Sequence, residues 1–326
     1  MRRLLATAAA VTAAALALTA CGTTEPAADN DTKKTSEPIT LTDASGAEVK
    51  LDGPARKVVG TEWHEVELLI SLGVDPVGVA DVKGYKTWDT AVPLKNEPKD
   101  IGTRGEPSMD TIAGLSPDLI VASTDLPPAA VKQLRKVAPV LEVRSADASD
   151  PLGQMTENLD LIAKATGTTA QAEKIKKDFD TKIAEGRKAL ADAGLGGAKY
   201  AFADGYVVSN QVSIRPFTSG SLIGAVNEKL GLKNAWTVKG DESYGLASTD
   251  VEGLTTLGDV QFAYIGNDGD KDSTPFTGAL AKDKVWTSLP FVKKGNVHRL
   301  PDGIWMFGGP ESMNQYIDSV VAALAK

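Results

Sequence analysis

The sequence predicts an α/β protein with two lobes, each built on a mostly parallel sheet, joined by one long backbone helix. Three observations support this fold class. Short apolar segments alternate with helical ones over residues 38–165, and the alternation returns over residues 195–326; it is typical of parallel α/β units. A long amphipathic helix separates the two sets, within residues 166–194. The two halves also share local sequence patterns.

The first lobe is predicted to open with a β-hairpin. Residues 39–43 alternate polar and apolar side chains, residues 44–46 favour a turn, and residues 48–51 form the second strand. The elements predicted after this hairpin are a strand at 57–60, a helix at 65–71, a strand at 76–80, a helix at 109–115, a strand at 119–122, a helix at 128–137 and a strand at 140–143.

Two helices are predicted next, at residues 151–165 and 169–193. The second would begin at a Thr168 or Thr169 cap, end at Gly194 and extend for about 37 Å. Its apolar residues recur at helical spacing: Ala172, Ile175, Phe179, Ile183 and Leu190. One buried face on a helix of this length indicates a rigid strut rather than a loose linker.

The second lobe repeats the alternation of strands and helices. Its predicted elements are a strand at 199–202, a helix at 222–230, a helix at 251–257, a strand at 262–265, a helix at 278–288, a strand at 297–299 and a helix at 311–325. The residues Gly308-Gly309-Pro310 fit a turn before the last helix better than a phosphate-binding loop.

Two sequence echoes relate the halves. Residues 110–120 and 252–262 both begin with an acid, carry aliphatic residues two and five positions later, and lead into a strand. Residues 68–73 and 227–231 both end a predicted helix with Leu-Gly. Two equivalent lobes imply a cleft between them, which is a usual place for a ligand.

The N-terminus has the order of a signal peptide. Charged residues at 1–3 precede an apolar run at 4–18, which is too short to span a bilayer comfortably, since that takes roughly 20 apolar residues. Residues 18–21, Leu-Thr-Ala-Cys, resemble a lipobox, in which Cys21 receives a diacylglyceryl group and becomes the lipid-bearing (palmitate-type) N-terminus. An ordinary secretory peptide is the alternative. Residues 21–37 would then be a flexible tether.

Charge and cysteine content exclude some classes of protein. The chain has 35 basic and 43 acidic residues. Its net charge becomes more negative when the predicted signal peptide, residues 1–20, is removed together with Arg2 and Arg3. This argues against a nucleic-acid partner, which needs clustered Lys and Arg. Because Cys21 is the only cysteine, no internal disulfide can form.

Direct metal binding and hydrolysis are not favoured by the residues. The chain has two histidines, and Glu62, His64 and Glu67 form its only compact cluster of metal-ligand types, without a second histidine at zinc-motif spacing. Residues 219–221 lack the nucleophile-elbow pattern, so an extracytoplasmic hydrolase would need His64 or His298 as its base.

Aromatic and arginine side chains near the predicted lobe edges are better candidates for ligand contacts. In open α/β sheets, ligands bind beyond the carboxyl ends of the strands, and a planar guanidinium suits anionic oxygens. The implied ligand is bulky, partly apolar and rich in oxygen. The candidate residues are Trp63, His64, Tyr85, Trp88 and Arg104 from the first half, with Tyr85 and Trp88 in a predicted loop, and Arg215, Phe217, Tyr244, Trp305 and Phe307 from the second.

These residues lie in blocks that resemble the ferric hydroxamate-binding family, a branch of the class III substrate-binding proteins of ABC transporters. The resemblance covers about residues 40–326. Its most specific blocks are residues 62–81, Tyr85, Trp88 and residues 101–108 in the first half, and residues 234–236, 285–295 and 304–308 in the second.

The resemblance implies a shallow cleft that closes little, with no covalent chemistry and no cofactor. Arg104 matches an arginine that contacts hydroxamate oxygens around iron, and Trp63, Trp88 and Trp305 match aromatic wall positions. Tyr244 stands where a tryptophan can occur. Phe307 departs from a tyrosine that hydrogen-bonds the siderophore, and Arg215 fits a position that is often basic, so a carboxylate- or mixed-ligand siderophore remains an alternative.

The resemblance also implies a partner. In this family one carboxylate per lobe forms salt bridges with permease arginines, and Asp110 and Glu252 are the acids of the internal echo; acids favoured at helix N-termini are the alternative explanation. We therefore expect a monomeric receptor, held by a lipid on the outer face of the cell membrane, that delivers an iron(III)–siderophore complex to an ABC permease. A receptor for cobalamin, heme or another organic ligand is the alternative.

Overall fold

The first set of apolar strands forms a five-stranded sheet in the computed structural model, which describes residues 37–209 and 211–325. All its strands are parallel, in the order β5-β4-β3-β6-β7. Strands β3, β6 and β7 are buried along their whole length, which explains why they read as continuous apolar runs. The strands of this lobe are β1 (Ile39–Thr42) and β2 (Glu48–Leu51), which pair as the predicted hairpin, and β3 (Val58–Gly60), β4 (Gly78–Val79), β5 (Lys99–Asp100), β6 (Leu119–Ser123) and β7 (Val140–Val143).

Four helices connect these strands. They are α1 (Trp63–Ser71), α2 (Val82–Trp88), α3 (Met109–Leu115) and α4 (Pro128–Leu134). Side chains cap the first three: Glu62 accepts from the amide of Trp63, Asp81 from that of Gly84, and Ser108 from that of Thr111. Each cap satisfies an amide that the helix itself leaves unpaired, so the chain enters these helices in a defined direction.

Two further helices join the first sheet to the second. They are α5 (Pro151–Thr166) and α6 (Thr169–Asp192), and α6 buries Ala172, Ile175, Phe179 and Leu190 of the predicted stripe, while Ile183 is half-buried. Thr168 is the N-cap residue of α6 but makes no side-chain capping bond, because its hydroxyl pairs with that of Thr166. Gly194 ends the helix with a positive φ of 77°, as expected.

The second sheet also has five strands. Strands β10, β8, β11 and β12 are parallel, and β9 pairs with β8 in the antiparallel sense. The strands are β8 (Lys199–Val208), β9 (Gln211–Pro216), β10 (Lys233–Asn234), β11 (Gln261–Tyr264) and β12 (Val297–Arg299). The helices are α7 (Leu222–Lys229), α8 (Lys284–Ser288), α9 (Pro290–Lys293) and α10 (Pro310–Leu324), with 3₁₀ turns at Glu252–Thr256 and Lys271–Ser273.

Mostly parallel sheets on either side of a long helix agree with the predicted fold class, and the Leu-Gly echo has a structural basis. Helix α1 ends at Leu72 and Gly73, and α7 ends at Leu230 and Gly231, with φ of 83° and 84° at the two glycines. In each case the glycine amide donates three residues back and the following amide donates five residues back. This is the same C-terminal motif in both lobes, and it requires the left-handed conformation that glycine tolerates.

Three predicted elements were wrong. The predicted loop that carries Tyr85 and Trp88 is helix α2. The predicted helix at 251–257 is only the 3₁₀ turn Glu252–Thr256, and the helix predicted at 278–288 is confined to Lys284–Ser288. Gly253 and Gly278 explain part of this difference, because glycine is a poor helix former.

The β8–β9 hairpin was not predicted. Strand β8 continues to Val208, six residues beyond the predicted end, and turns back at Ser209, whose φ is 51°. The hairpin places Tyr206 opposite Ser213 and Asp204 opposite Arg215. It therefore carries residues of the site described below.

The predicted signal peptide, Cys21 and nearly all of the predicted tether lie outside the described residues. Within residues 37–209 and 211–325, no helix has both the length and the apolar character needed to cross a membrane.

Candidate functional site

A cavity of about 430 Å³ lies between elements of the two sheets. This volume falls in the range of small-molecule sites, roughly 300–1,000 Å³. Its walls come from the start of α1, the end of α2, the turn after β5, the β8–β9 hairpin and the segment before α10. The lining residues are Glu62, Trp63, His64, Trp88, Arg104, Ser145, Tyr206, Arg215, Tyr244, Leu246, Trp305, Met306 and Phe307.

Arg104 lies over the aromatic floor of this cavity. It projects from a tight turn in which Gly102 and Pro107 pair, and its guanidinium carbon is 3.9 Å from the centre of the Trp63 ring and 5.3 Å from that of Trp305. The two indole rings meet edge to face at 4.7 Å. The Arg104 guanidinium also donates to Glu62 Oε1 at 2.8 Å. A cation stacked on aromatic faces is held in a defined plane, so Arg104 can present its remaining donors to a ligand.

A second guanidinium lies on the opposite wall. Arg215 Nε donates to Asp204 Oδ1 at 2.9 Å, and its Nη2 donates to the other carboxylate oxygen. Its guanidinium carbon is 5.3 Å from the Phe307 ring centre and 5.7 Å from that of Phe217. Asp204 has only 3% of its side chain exposed, so this ion pair is anchored in the second lobe.

Tyr244 bridges the cavity rim. Its hydroxyl donates to an Asp125 carboxylate oxygen of the first lobe, and its ring meets Phe307 edge to face at 5.5 Å. Burial, followed by the hydrogen bond to Asp125, raises the pKa of Tyr244. The hydroxyl therefore stays protonated and serves as a donor.

Two polar atoms in the cavity wall have no hydrogen-bond partner among the described residues. They are His64 Nε2 and Trp305 Nε1, in residues that are 5% and 8% exposed. Unpaired polar groups this deeply buried are uncommon in proteins. Burial is the main cause that lowers the pKa of His64. The negative charges of Glu62 and Asp125 oppose this effect, and the positive charge of Arg104 adds to it. His64 is therefore uncharged near neutral pH.

Two candidate residues lie elsewhere than expected. Tyr85 is completely buried behind Trp63, and its hydroxyl donates to the Val92 carbonyl at 2.6 Å, so it does not line the cavity. The cause is helix α2, which turns Tyr85 inward and leaves Trp88 at the cavity. Phe217 is also buried, but it lines a smaller space of about 30 Å³ that adjoins the cavity at His64, Tyr244 and Phe307.

The remaining eight candidates, Trp63, His64, Trp88, Arg104, Arg215, Tyr244, Trp305 and Phe307, all line the main cavity. The residues that sequence reasoning missed there are Glu62, Ser145, Tyr206, Leu246 and Met306. Glu62 had a signal, because an acid at an N-cap directly before two candidate residues shares their location. Tyr206 depended on the unpredicted hairpin.

Glu67 does not join Glu62 and His64 in a cluster of metal-ligand type. It is fully buried and accepts three hydrogen bonds of 2.8 Å from the start of α10, donated by the amides of Gly309 and Ser312 and by the Ser312 hydroxyl. Asp89 lies beside it, and burial, with the Glu67 charge, raises the pKa of Asp89 well above its ordinary value. Across residues 37–209 and 211–325, no three His, Cys, Asp or Glu side chains are grouped to hold a metal ion.

Asp110 and Glu252 are both exposed. Asp110 lies in the first turn of α3 and Glu252 at the start of a 3₁₀ turn, and neither forms an ion pair with another described residue. Their positions at the starts of helical turns fit the helix-dipole explanation as well as a docking role.

Comparisons with known proteins agree with this architecture. The chain is 26% identical over 262 residues to the iron(3+)-hydroxamate-binding protein FhuD of Escherichia coli, covering 80% of this chain and 84% of that protein. Among solved structures it is similar to Fe3+-Desferal-bound FhuD from Vibrio cholerae, with a TM-score of 0.73, 23% identity, and 83% and 98% of the two chains covered. It is also similar to Staphylococcus aureus SirA complexed with staphyloferrin B, with a TM-score of 0.70, 24% identity, and 88% and 98% covered.

These likenesses confirm the predicted two-lobed α/β fold and the resemblance drawn from the sequence. A family model described as periplasmic binding protein matches residues 58–303, which include both sheets and most of the cavity wall. Because this match extends over much more than half of the chain, the protein belongs to the periplasmic binding protein family, whose members bind substrates and are not enzymes.

Proposed function

We propose that this protein binds an intact ferric siderophore in the cavity and delivers it to an ABC permease. The observation that carries the proposal is the wall itself, in which Trp63 and Trp305 support the guanidinium of Arg104. Aromatic faces suit the apolar arms of a chelator, and guanidinium donors suit its iron-bound oxygens. Iron remains in its organic chelator, which supplies all the metal ligands.

A hydroxamate siderophore is the favoured ligand. The Escherichia coli relative is named an iron(3+)-hydroxamate-binding protein, and the Vibrio cholerae structure contains Fe3+-Desferal. Ferric hydroxamates expose oxygen atoms but lack the large negative charge of ferric catecholate and ferric carboxylate complexes. Phe307, whose ring centre lies 5.3 Å from the Arg215 guanidinium carbon, offers such a complex an apolar face on that side of the cavity.

Tryptophan fluorescence tests the proposal directly. Trp63, Trp88 and Trp305 line the cavity, whereas Trp236 and Trp286 are buried in the core of the second lobe. We expect saturable quenching by ferric Desferal, which Trp236→Phe and Trp286→Phe variants retain. Absence of binding by ferric hydroxamate, catecholate and citrate complexes would refute the proposal. Binding of heme or cobalamin alone would replace it with the organic-ligand alternative.

We further propose that the protein works outside the cytoplasm, attached to the membrane through a lipid on Cys21. The support is the leader sequence and the lipobox-like residues 18–21. A Cys21→Ser variant is expected to move from the membrane fraction to the soluble extracytoplasmic fraction without losing affinity for its ligand. If wild type and variant fractionate alike, the lipid anchor is excluded.

The permease contact is proposed to use Asp110 and Glu252, one exposed acid from each lobe. Rim charges mainly steer association, so the double variant Asp110→Asn/Glu252→Gln should keep its ligand affinity within twofold and lower cellular uptake by about tenfold. Asp180→Asn, an exposed acid on the backbone helix α6, is the matched control and should transport normally. Loss of ligand affinity in the double variant would show that these acids serve the cavity instead.

A further inference from the structure

The charges of the cavity wall are balanced by internal ion pairs. Arg104 is paired with Glu62 at 2.8 Å, and Arg215 is paired with Asp204 through two of its donors. His64 is the remaining titratable nitrogen in the wall, and its burial keeps it neutral. No lysine is among the described residues that line this cavity. The wall thus offers many hydrogen-bond donors but no uncompensated positive charge.

The pairing of Arg215 is difficult to undo. Asp204 is almost entirely buried, and withdrawing the guanidinium would leave its carboxylate unpaired in a medium of low dielectric constant. Breaking a buried pair in this way is strongly unfavourable. Arg215 can therefore donate a free N–H to a ligand oxygen, but it cannot turn to neutralise a ligand carboxylate.

The space beside the cavity is negative. A groove of about 440 Å³ shares Glu62 and Arg104 with the cavity wall and adds the carboxylates of Asp81 and Asp125. At the rim, Asp125 accepts a hydrogen bond from the Tyr244 hydroxyl. An arm of the ligand that leaves the cavity on this side meets the carboxylates of this groove. The guanidinium that lines the groove, that of Arg104, is already paired with Glu62.

We infer that the site selects ferric complexes by net charge, accepting neutral and cationic complexes and rejecting anionic ones. The inference rests on the proposed function and adds a ligand class to it: a neutral iron core rich in oxygen, with an uncharged or ammonium-bearing arm. An anionic ferric carboxylate or catecholate would find no free cation among the described residues that form the wall.

A matched series of ferric complexes tests this inference. Ferric Desferal carries a terminal ammonium, its N-acetyl derivative is neutral, and its N-succinyl derivative ends in a carboxylate, while the iron coordination is the same in all three. At low ionic strength we expect the ammonium and neutral complexes to bind at least about tenfold more tightly than the carboxylate complex. Added salt should narrow this difference.

Variants locate the source of the selectivity. Glu62→Gln releases the charge of Arg104 and should reduce the preference between ammonium and carboxylate complexes by about tenfold. Asp125→Asn, which leaves the start of α1 intact, should reduce it in the same direction. Glu48→Gln changes the net charge equally on the β1–β2 hairpin, outside the cavity and groove walls, and should leave the preference unchanged.

Failure of the inference and failure of the proposed function give different results. If all three complexes bind with equal affinity, or the carboxylate complex binds best, the charge inference is overturned and siderophore binding stands. If Glu48→Gln changes the preference as much as Glu62→Gln, the selectivity belongs to the overall charge and the inference is also overturned. If none of the three complexes binds, the charge inference and the hydroxamate ligand both fall, and siderophore binding itself falls if catecholate and citrate complexes also fail to bind.

Discussion

An Arg104→Ala variant is expected to bind ferric Desferal about 100-fold more weakly than wild type, which corresponds to roughly 3 kcal/mol. The guanidinium stacks on Trp63 and lies near Trp305, with donors that are not used by Glu62. Its removal deletes charge-assisted hydrogen bonds, each of which contributes about 1.5–3 kcal/mol. It also leaves the Glu62 carboxylate without its ion-pair partner, beside the oxygens of the ligand. Fluorescence titration and thermal unfolding of the same samples measure affinity and folding separately.

Two controls separate the causes of this loss. The double variant Glu62→Gln/Arg104→Ala also removes the negative charge of Glu62, so any affinity that it recovers measures repulsion between that charge and the ligand rather than lost hydrogen bonds. Arg135→Ala deletes a guanidinium paired with Asp43 and Glu142, away from the cavity, and should leave affinity unchanged. Unchanged affinity in Arg104→Ala itself would remove Arg104 from the site.

The location of Arg104 could be predicted from sequence because local residues determine it. Gly102 has a φ of 99°, and a Cβ there would lie 3.1 Å from the Glu106 carbonyl oxygen. The turn that carries Arg104 is therefore determined by neighbouring residues in the sequence. The same holds for His64, which directly follows the N-cap and first residue of α1. Both residues are held by local turns and caps at strand ends, and both line the cavity.

The burial of Tyr85 could not be predicted from local sequence. Gly84 and the β-branched residues around it gave no helical signal, yet α2 forms because Gly84 allows close approach to Trp63: a Cβ there would lie 2.3 Å from the indole ring. This is a tertiary contact between residues 21 positions apart. The β8–β9 hairpin was missed for a related reason, since Arg215 and Asp204 are partners only once the register of the hairpin exists. Propensity does not carry such information.

The second large effect is expected at Glu67, which links α1 to the start of α10. Helix α10 has Gly309 at its N-cap, and glycine has no side chain with which to cap. Glu67 supplies the missing acceptor from another element, bonding the amides of Gly309 and Ser312. A Cβ at Gly308 would lie 2.2 Å from a Glu67 oxygen, which explains the glycine there. Glu67→Ala leaves these buried donors unpaired, and we expect it to lower the free energy of unfolding by about 3 kcal/mol.

The same contact should affect ligand binding. Helix α1 begins with Trp63 and His64, and the segment capped by Glu67 directly follows Phe307. Loosening it separates walls that come from different lobes, so affinity for ferric Desferal should fall by about tenfold, or roughly 1.4 kcal/mol. Ser312→Ala removes one of the three hydrogen bonds and serves as the milder variant if Glu67→Ala does not fold.

Glu311→Ala is the matched control, because Glu311 is an acid in the first turn of the same helix and, within the described part of the chain, accepts a side-chain hydrogen bond only from the amide of Asn314. Its loss should cost less than about 1 kcal/mol, the ordinary effect of an acid at a helix N-terminus. Urea unfolding of Glu67→Ala, Ser312→Ala and Glu311→Ala measures their stability, and titration of the folded proteins with ferric Desferal measures their affinity. Equal destabilisation by Glu67→Ala and Glu311→Ala would mean that Glu67 acts only through its charge near the helix dipole. Destabilisation without weaker binding would mean that the contact holds the lobes together but does not set the distance between the cavity walls.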